Sequence, residues 1–152
     1  MLKKIILSTI AVLVLIQLIS IDKSVPKTDK RIALNAPEKV MNILKKSCYD
    51  CHSYETKWPW YSDIAPVSFF VSSHVKKGRK AINFSIYDEI GAKRKIKRLE
   101  RAVITVNNER MALPSYVSAH EEAKLNKEEK KILIEWLKEE VTSLNKALEP
   151  QG

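Results

Sequence analysis

The sequence holds only two cysteines and three histidines in 152 residues, and both scarcities exclude chemistry. Zinc bound by two adjacent thiols needs two further ligands at sensible spacing. Outside the cysteine cluster only His74 and His120 remain, with no H-x-x-x-H pair. No run alternates apolar and polar side chains as a half-buried strand does, so the βαβ setting of a thioredoxin-like dithiol is missing. A disulfide between Cys48 and Cys51 would close a loop too short to stabilise much. No segment repeats at useful length. A chain of 152 residues, 45% of them apolar, has room for one domain of modest core and an attachment segment.

What is present is Cys48-Tyr49-Asp50-Cys51-His52, a C-x-x-C-H run that uses both cysteines and one histidine. On a helical turn, positions i, i+3 and i+4 share a face, so both thiols and the imidazole can address one porphyrin. The spacing predicts covalent haem c attachment: Cys48 and Cys51 bonded to the vinyl carbons, His52 beneath the iron as proximal ligand.

The chain opens with Lys3 and Lys4, then an apolar run from Ile5 to Ile21 softened by Ser8, Thr9, Gln17 and Ser20. As helix, these residues would extend about 25 Å, close to the hydrocarbon thickness of a bilayer. The run ends Leu18-Ile19-Ser20-Ile21 without an A-x-A-like cleavage site or a nearby cysteine for lipidation. An uncleaved signal anchor over 1–21 is therefore expected, attached to the inner membrane with the body facing the periplasm or cell exterior. That compartment is where cysteines can be oxidised and where apocytochromes of this type receive haem. The net charge of +9 suits an anionic membrane surface or an acidic protein partner, and export argues against nucleic acid.

Residues 22–34 are polar, contain Pro26 and read as a linker. A helical domain follows over 35–149. Asn35 is expected to cap a first helix with Pro37 at its second position, its face built from Val40, Met41, Ile43, Leu44 and Cys48. Trp58-Pro59-Trp60-Tyr61 is too broken by proline for a regular helix. Trp58 and Trp60 either pack into the core or wall the haem and offer donors to its propionates. Ser62 or Asp63 then caps a helix with Pro66 in its first turn, in which Val67, Phe70, Val71 and His74 form a stripe read as buried. A basic helix over 91–106 has Ile96, Leu99, Val103 and Val106 as its seam. Its Lys and Arg side chains form either a solvated face or an electrostatic docking surface. Residues 107–119 read as a loop, and Asn126 with Glu129 starts a last helix over 127–147, with Leu133, Trp136, Leu137, Val141 and Leu144 facing the core.

Three side chains could take the iron's opposite face: Met111 in its loop, His74 on its stripe, and His120 beside Glu121 and Glu122. A thioether there would raise the reduction potential relative to bis-histidine ligation. Met111 could equally fill a core gap, and position alone leaves little between it and His74.

The run from Cys48 to Ser53, with Glu55-Thr56-Lys57-Trp58-Pro59-Trp60-Tyr61, Ile64-Ala65-Pro66-Val67-Ser68 and Asn83-Phe84-Ser85, resembles the bacterial haem-binding domain family. Those are short, exported, helical c-type cytochrome domains with one C-x-x-C-H site, typically behind an N-terminal anchor. The resemblance covers about residues 35–137. It implies covalent haem on Cys48 and Cys51 with His52 as proximal ligand. The family's later Met-Pro segment, with a tyrosine and then a histidine at fixed distances, matches Met111, Tyr116 and His120, which implies Met111 as distal ligand and Tyr116 at the cofactor. Two positions depart: Ala112 stands where proline is usual after the methionine, and Tyr87 where tryptophan is common.

The expectation is an all-α, small c-type cytochrome-like domain around one covalently bound haem, preceded by a transmembrane helix. It would carry single electrons between redox protein partners and would not be an enzyme. The rival is a haem-based ligand sensor or small peroxidase with an open or displaceable distal ligand.

Overall fold

The computed structural model describes residues 1–149, and among them every regular element is helical and none is a strand. Seven α-helices follow in order: α1 (Leu2–Leu15), α2 (Glu38–Ser47), α3 (Tyr49–His52), α4 (Val67–Ala81), α5 (Ala92–Asn107), α6 (Pro114–Val117) and α7 (Lys127–Leu148), joined by loops and short 3-10 turns.

The longest α-helical pair, α5 and α7, packs together. Leu99 and Val106 of α5 meet Leu133 and Leu137 of α7, all buried, with Val103, Trp136, Val141 and Leu144 partly buried around them. Burying each such leucine stabilises the fold by about 2 kcal/mol. The α7 start is fixed by a capping box: Asn126 Oδ1 accepts the Glu129 N–H at 2.8 Å and Glu129 Oε2 accepts the Asn126 N–H at 3.0 Å. The basic face of α5 is solvated at Lys93, Arg94, Lys97 and Arg101. Lys95 instead lies over the Tyr87 ring at 4.2 Å and pairs with Asp88 at 2.8 Å.

Against this pair α2 lays Val40, Ile43 and Leu44. It begins at Glu38 with Pro37 at the N-cap, not at Asn35 as the sequence suggests. The physical reason is Ala36: a residue before proline is pushed out of the helical region, so helix can begin only beyond it. The linker is joined to the core by the Leu34 N–H donating to the Phe84 carbonyl at 2.8 Å.

The N-terminal helix is shorter than the apolar run from Ile5 to Ile21 suggests. The α1 helix has 14 residues, about 21 Å, and among the described residues no helix is long and apolar enough to cross a membrane. Helical bonding tightens into a 3-10 turn at Ile16–Leu18, where Gln17 turns its amide onto Ala65: Nε2 donates to the Ala65 carbonyl at 2.9 Å, and Oε1 accepts its N–H at 3.0 Å. No side chain of α1 is buried.

Candidate functional site

Helix α2 ends at Ser47 and the chain turns sharply at Cys48 (φ −127°, ψ −36°) before resuming as the single turn of α3. That turn is closed by the Cys51 and His52 N–H groups donating to the Cys48 carbonyl at 3.1 and 2.9 Å. The predicted helical turn for the motif is therefore present, with its two thiols and imidazole at i, i+3 and i+4.

His52 is fixed from behind. Its Nδ1 lies 3.1 Å from the Ile82 carbonyl oxygen; a carbonyl only accepts, so Nδ1 carries the proton and Nε2 the free lone pair. Burial lowers the imidazole pKa, opposed by the backbone carbonyls of Ile82 and Gly78. The neutral ring is the form that ligates metal. A histidine oriented by a carbonyl on its other nitrogen is the usual support for a metal ligand.

The thiols behave differently from metal thiolates or redox dithiols, whose pKa values are lowered. Burial pushes Cys48 up to about 12, with Cys51 adding to the rise. It pushes Cys51 up to about 11, with Asp50 adding and Arg79 opposing. Both cysteines are free thiols. Among the described residues no three His, Cys, Asp or Glu side chains gather as a metal cluster, which leaves the zinc reading without ligands.

Beside Cys51 a cleft of about 300 Å³ opens between α3, the aromatic loop, α4 and the segment from Leu113 to Ala119. Its α4 wall is made of Val67, Phe70, Val71, His74 and Val75. This overturns the reading of that stripe as core-facing. The buried face of α4 is Ser68, Ser72, Val75 and Gly78, while Val67 is 43% and Phe70 56% exposed. Small residues face inward because α3 lies close against them: a Cβ built on Gly78 would stand 2.9 Å from the Cys51 carbonyl carbon. The large apolar residues are turned to the cleft instead.

The opposite wall carries a polar network that the sequence did not announce. Tyr116 donates its hydroxyl to Asp50 Oδ2 at 2.5 Å, and Asp50 Oδ1 accepts the Lys57 N–H at 2.9 Å. The Tyr61 hydroxyl lies 2.7 Å from His120 Nε2, whose Nδ1 is 3.2 Å from Glu122 Oε1. The Tyr116 and His120 rings stack at 4.5 Å. Burial and the Asp50 carboxylate both hold the Tyr116 phenol protonated, well above its ordinary range. Arg79 completes the support under α3, donating to the Ser53 carbonyl at 2.8 Å and to Thr56 Oγ1 at 2.9 Å.

The remaining expected residues fall in three places. Tyr116 and His74 line the cleft, and His74 donates Nδ1–H to the Phe70 carbonyl at 2.9 Å. Both His120 nitrogens are engaged. Met111 lies half-buried against the hydrophobic core and does not line the cleft, whereas Leu113, two residues on, does. Trp60 is 78% exposed, and Trp58 sits under Lys23 Nζ at 5.3 Å; neither lines the cleft, although Pro59 between them does. The signal for Gly78 was present in the sequence as a lone glycine inside a helical run, a common mark of close approach. Nothing comparable marked Asp50 or the Ile82 carbonyl.

This arrangement fits a haem. It combines two half-buried thiols and an oriented, neutral imidazole on one turn with an apolar wall beside Cys51 that the protein itself leaves uncovered. The haem-binding domain family model matches residues 11–139, reaching back into the apolar N-terminal segment. No curated protein and no solved structure matches the chain. Of the motif's two cysteines and histidine only Cys51 lines the cleft; Cys48 does not, and His52 lies against Phe84 and the Ile82 carbonyl. With most of its length matched, the chain belongs to the haem-binding domain family, and its cofactor is haem.

Proposed function

We propose that the protein is a membrane-anchored monohaem c-type cytochrome that carries single electrons between redox partners outside the cytoplasm. The observation that carries this reading is the α4 stripe: Val67, Phe70 and Val71 are turned out of the core into the cleft that holds Cys51. Such a wall gives the low-dielectric, water-poor surroundings that a one-electron centre needs. When bound, the haem supplies the one-electron couple. The chain's residues hold and orient: Cys48 and Cys51 as thioether donors, His52 Nε2 as proximal ligand with Nδ1 tied to Ile82, and Tyr116 with Asp50 bracing the facing wall.

Met111 is proposed as distal ligand, since its loop reaches the cleft wall at Leu113. A second assignment, His74, is favoured by its place on the cleft wall with only Nδ1 engaged. Anchoring is supported by the exposure of every α1 side chain, a run of Leu, Ile and Val without protein cover. An oriented charge on α5 suits small, transient contact with an acidic redox partner.

The test is expression with covalent haem-attachment machinery, followed by denaturation and spectroscopy of wild type, Met111→Ala and His74→Ala. Haem retained on the denatured chain, and a ferric thioether band lost only in Met111→Ala, is the expected result. Haem released on denaturation would overturn covalent attachment. A band lost or a spin state altered only in His74→Ala would move the distal ligand to His74. Rapid carbon monoxide binding by the reduced wild type, or peroxide turnover, would replace electron transfer by ligand chemistry.

A further inference from the structure

A second depression, about 550 Å³, shares no lining residue with the haem cleft. Its long side is one face of α4: Phe69, Ser72, Ser73, Lys76, Lys77 and Lys80 follow at helical spacings of three and four. The facing side is Ser20, Ile21 and Asp22, the residues that follow the apolar N-terminal run. Ile21 and Phe69 make an apolar floor, and the three ammonium groups face a single carboxylate. That carboxylate, Asp22, accepts the Ser24 N–H at 2.8 Å. None of the ion pairs among the described residues uses Lys76, Lys77 or Lys80, so the groove has unspent positive charge. Lysine ammonium groups over an apolar floor suit a phosphate ester with a hydrocarbon continuation.

Position chooses the source of that phosphate. Gln17 brackets the Ala65 backbone at 2.9 and 3.0 Å, and Lys23 pairs with Asp63 at 2.5 Å. These two ties hold residues 17–23 to the segment that leads into α4. The groove therefore begins at Ser20, a short step beyond the end of the exposed apolar helix at Leu15, at most about 17 Å of extended chain. Whatever medium covers α1 also meets the groove.

We propose that this groove seats the headgroup of an anionic phospholipid, its phosphate on Lys76, Lys77 and Lys80 and its glycerol and upper acyl carbons over Ile21 and Phe69. The proposal rests on the membrane-anchoring reading. Its consequence is orientational: the headgroup holds α4 against the bilayer and so sets the angle at which the haem cleft, lined by the adjoining face of the same helix, is presented to partners.

The test uses the full haem-loaded chain mixed with vesicles of phosphatidylcholine alone or with phosphatidylglycerol. Flotation reads anchoring, and lysine acetylation followed by mass spectrometry reads the groove. The expected result is flotation with both vesicles, with Lys76, Lys77 and Lys80 acetylated about five-fold more slowly on the anionic ones and Lys97 of α5 unchanged. In wild type on anionic vesicles trypsin cleavage at Arg79, beside the groove lysines, should also be slowed, and the triple variant K76Q/K77Q/K80Q should float equally but lose that slowing. Flotation with neither vesicle overturns the anchoring reading and this proposal with it. Flotation with both and equal acetylation overturns the groove alone. Equal protection by inorganic phosphate, or by an acidic peptide without vesicles, overturns the lipid assignment in favour of that ligand.

Discussion

Gly78 lies so close to Cys51 that α4 and the haem-motif turn touch backbone to backbone, with no room for a side chain between them. An alanine in mid-helix would ordinarily gain about 1 kcal/mol over glycine. Here the methyl group would meet a carbonyl that cannot swing aside, and overpacking of that kind costs typically 1–3 kcal/mol. Gly78→Ala should therefore lower stability by up to about 2 kcal/mol net, with a matching drop in the denaturation midpoint. At Gly91, a Cβ would meet nothing within 4 Å. Gly91→Ser, at the α5 N-cap, should leave stability unchanged or slightly raised.

The Tyr116 to Asp50 hydrogen bond joins the segment carrying the cleft's far wall to the haem motif itself. A bond to a charged acceptor in a partly buried place contributes about 1.5–3 kcal/mol. Tyr116→Phe should lower stability by about 2 kcal/mol and speed amide exchange at Tyr116 and Val117, whose N–H groups donate to the Leu113 carbonyl at 2.9 Å. Combining it with Asp50→Asn should cost clearly less than the sum of the two single changes. Strict additivity would mean that the contact contributes nothing.

These two contacts mark the boundary of what the sequence discloses. The α5 and α7 seams and the Asn126–Glu129 capping box follow from periodicity and residue chemistry, and the structure has them within a residue or so. Helix α4 was legible as a helix but not in its direction. Val67, Phe70, Val71 and His74 have the spacing of a core stripe, and spacing reports only that something apolar covers them. Burial of Ser68, Ser72 and Gly78 depends on how near α3 comes, a tertiary distance with little local signature. The Asp50 network is invisible for the same reason, since it links residues 66 positions apart.

The raised thiol pKa values predict slow chemistry in the folded, cofactor-free chain. At pH 8 both cysteines are protonated, because burial holds Cys51 at about 11 and Cys48 at about 12. Alkylation by iodoacetamide should therefore be much slower than in urea, should accelerate as pH rises toward 11, and should strike Cys51 first. The linkage runs the same way. Both folded values lie above the ordinary 9.0, so this contribution to stability is complete below pH 9 and is lost as pH rises through the folded values. Rapid alkylation of the folded protein at pH 8 would contradict the buried placement.

Glu129 predicts a dependence of opposite sign. Burial raises its pKa, but the Lys46 ammonium at 2.5 Å and the Asn126 N–H outweigh it, and the net direction is down from 4.5. A carboxyl with a lowered folded value stabilises above its unfolded pKa and ceases to do so as pH falls through the folded one. Acid denaturation of the wild type should thus steepen below about pH 4.5, and Glu129→Gln should flatten that limb while costing some stability at neutral pH. Parallel acid limbs in the two proteins would remove Glu129 from the account.

The end of α5 offers a stabilising change. Glu109 has φ 56°, in the left-handed region, one residue beyond the Asn108 cap. Its N–H donates to the Val106 carbonyl at 3.1 Å, and the Arg110 N–H to the Thr105 carbonyl at 2.9 Å. This is the paired bonding that ends a helix in a Schellman turn, where glycine is the favoured residue. A Cβ in that conformation costs roughly 1 kcal/mol, and the Lys130 to Glu109 contact at 3.2 Å is solvent-exposed on the glutamate side, worth little against it. Glu109→Gly should raise stability by about 0.5–1 kcal/mol, read as a higher urea midpoint at unchanged slope. The same turn aims the chain toward Met111, so the variant should keep the wild-type haem spectrum, since glycine satisfies the same backbone angles. A stabilised variant with an altered ferric spectrum would show that Glu109 positions the loop through its side chain and not through the turn.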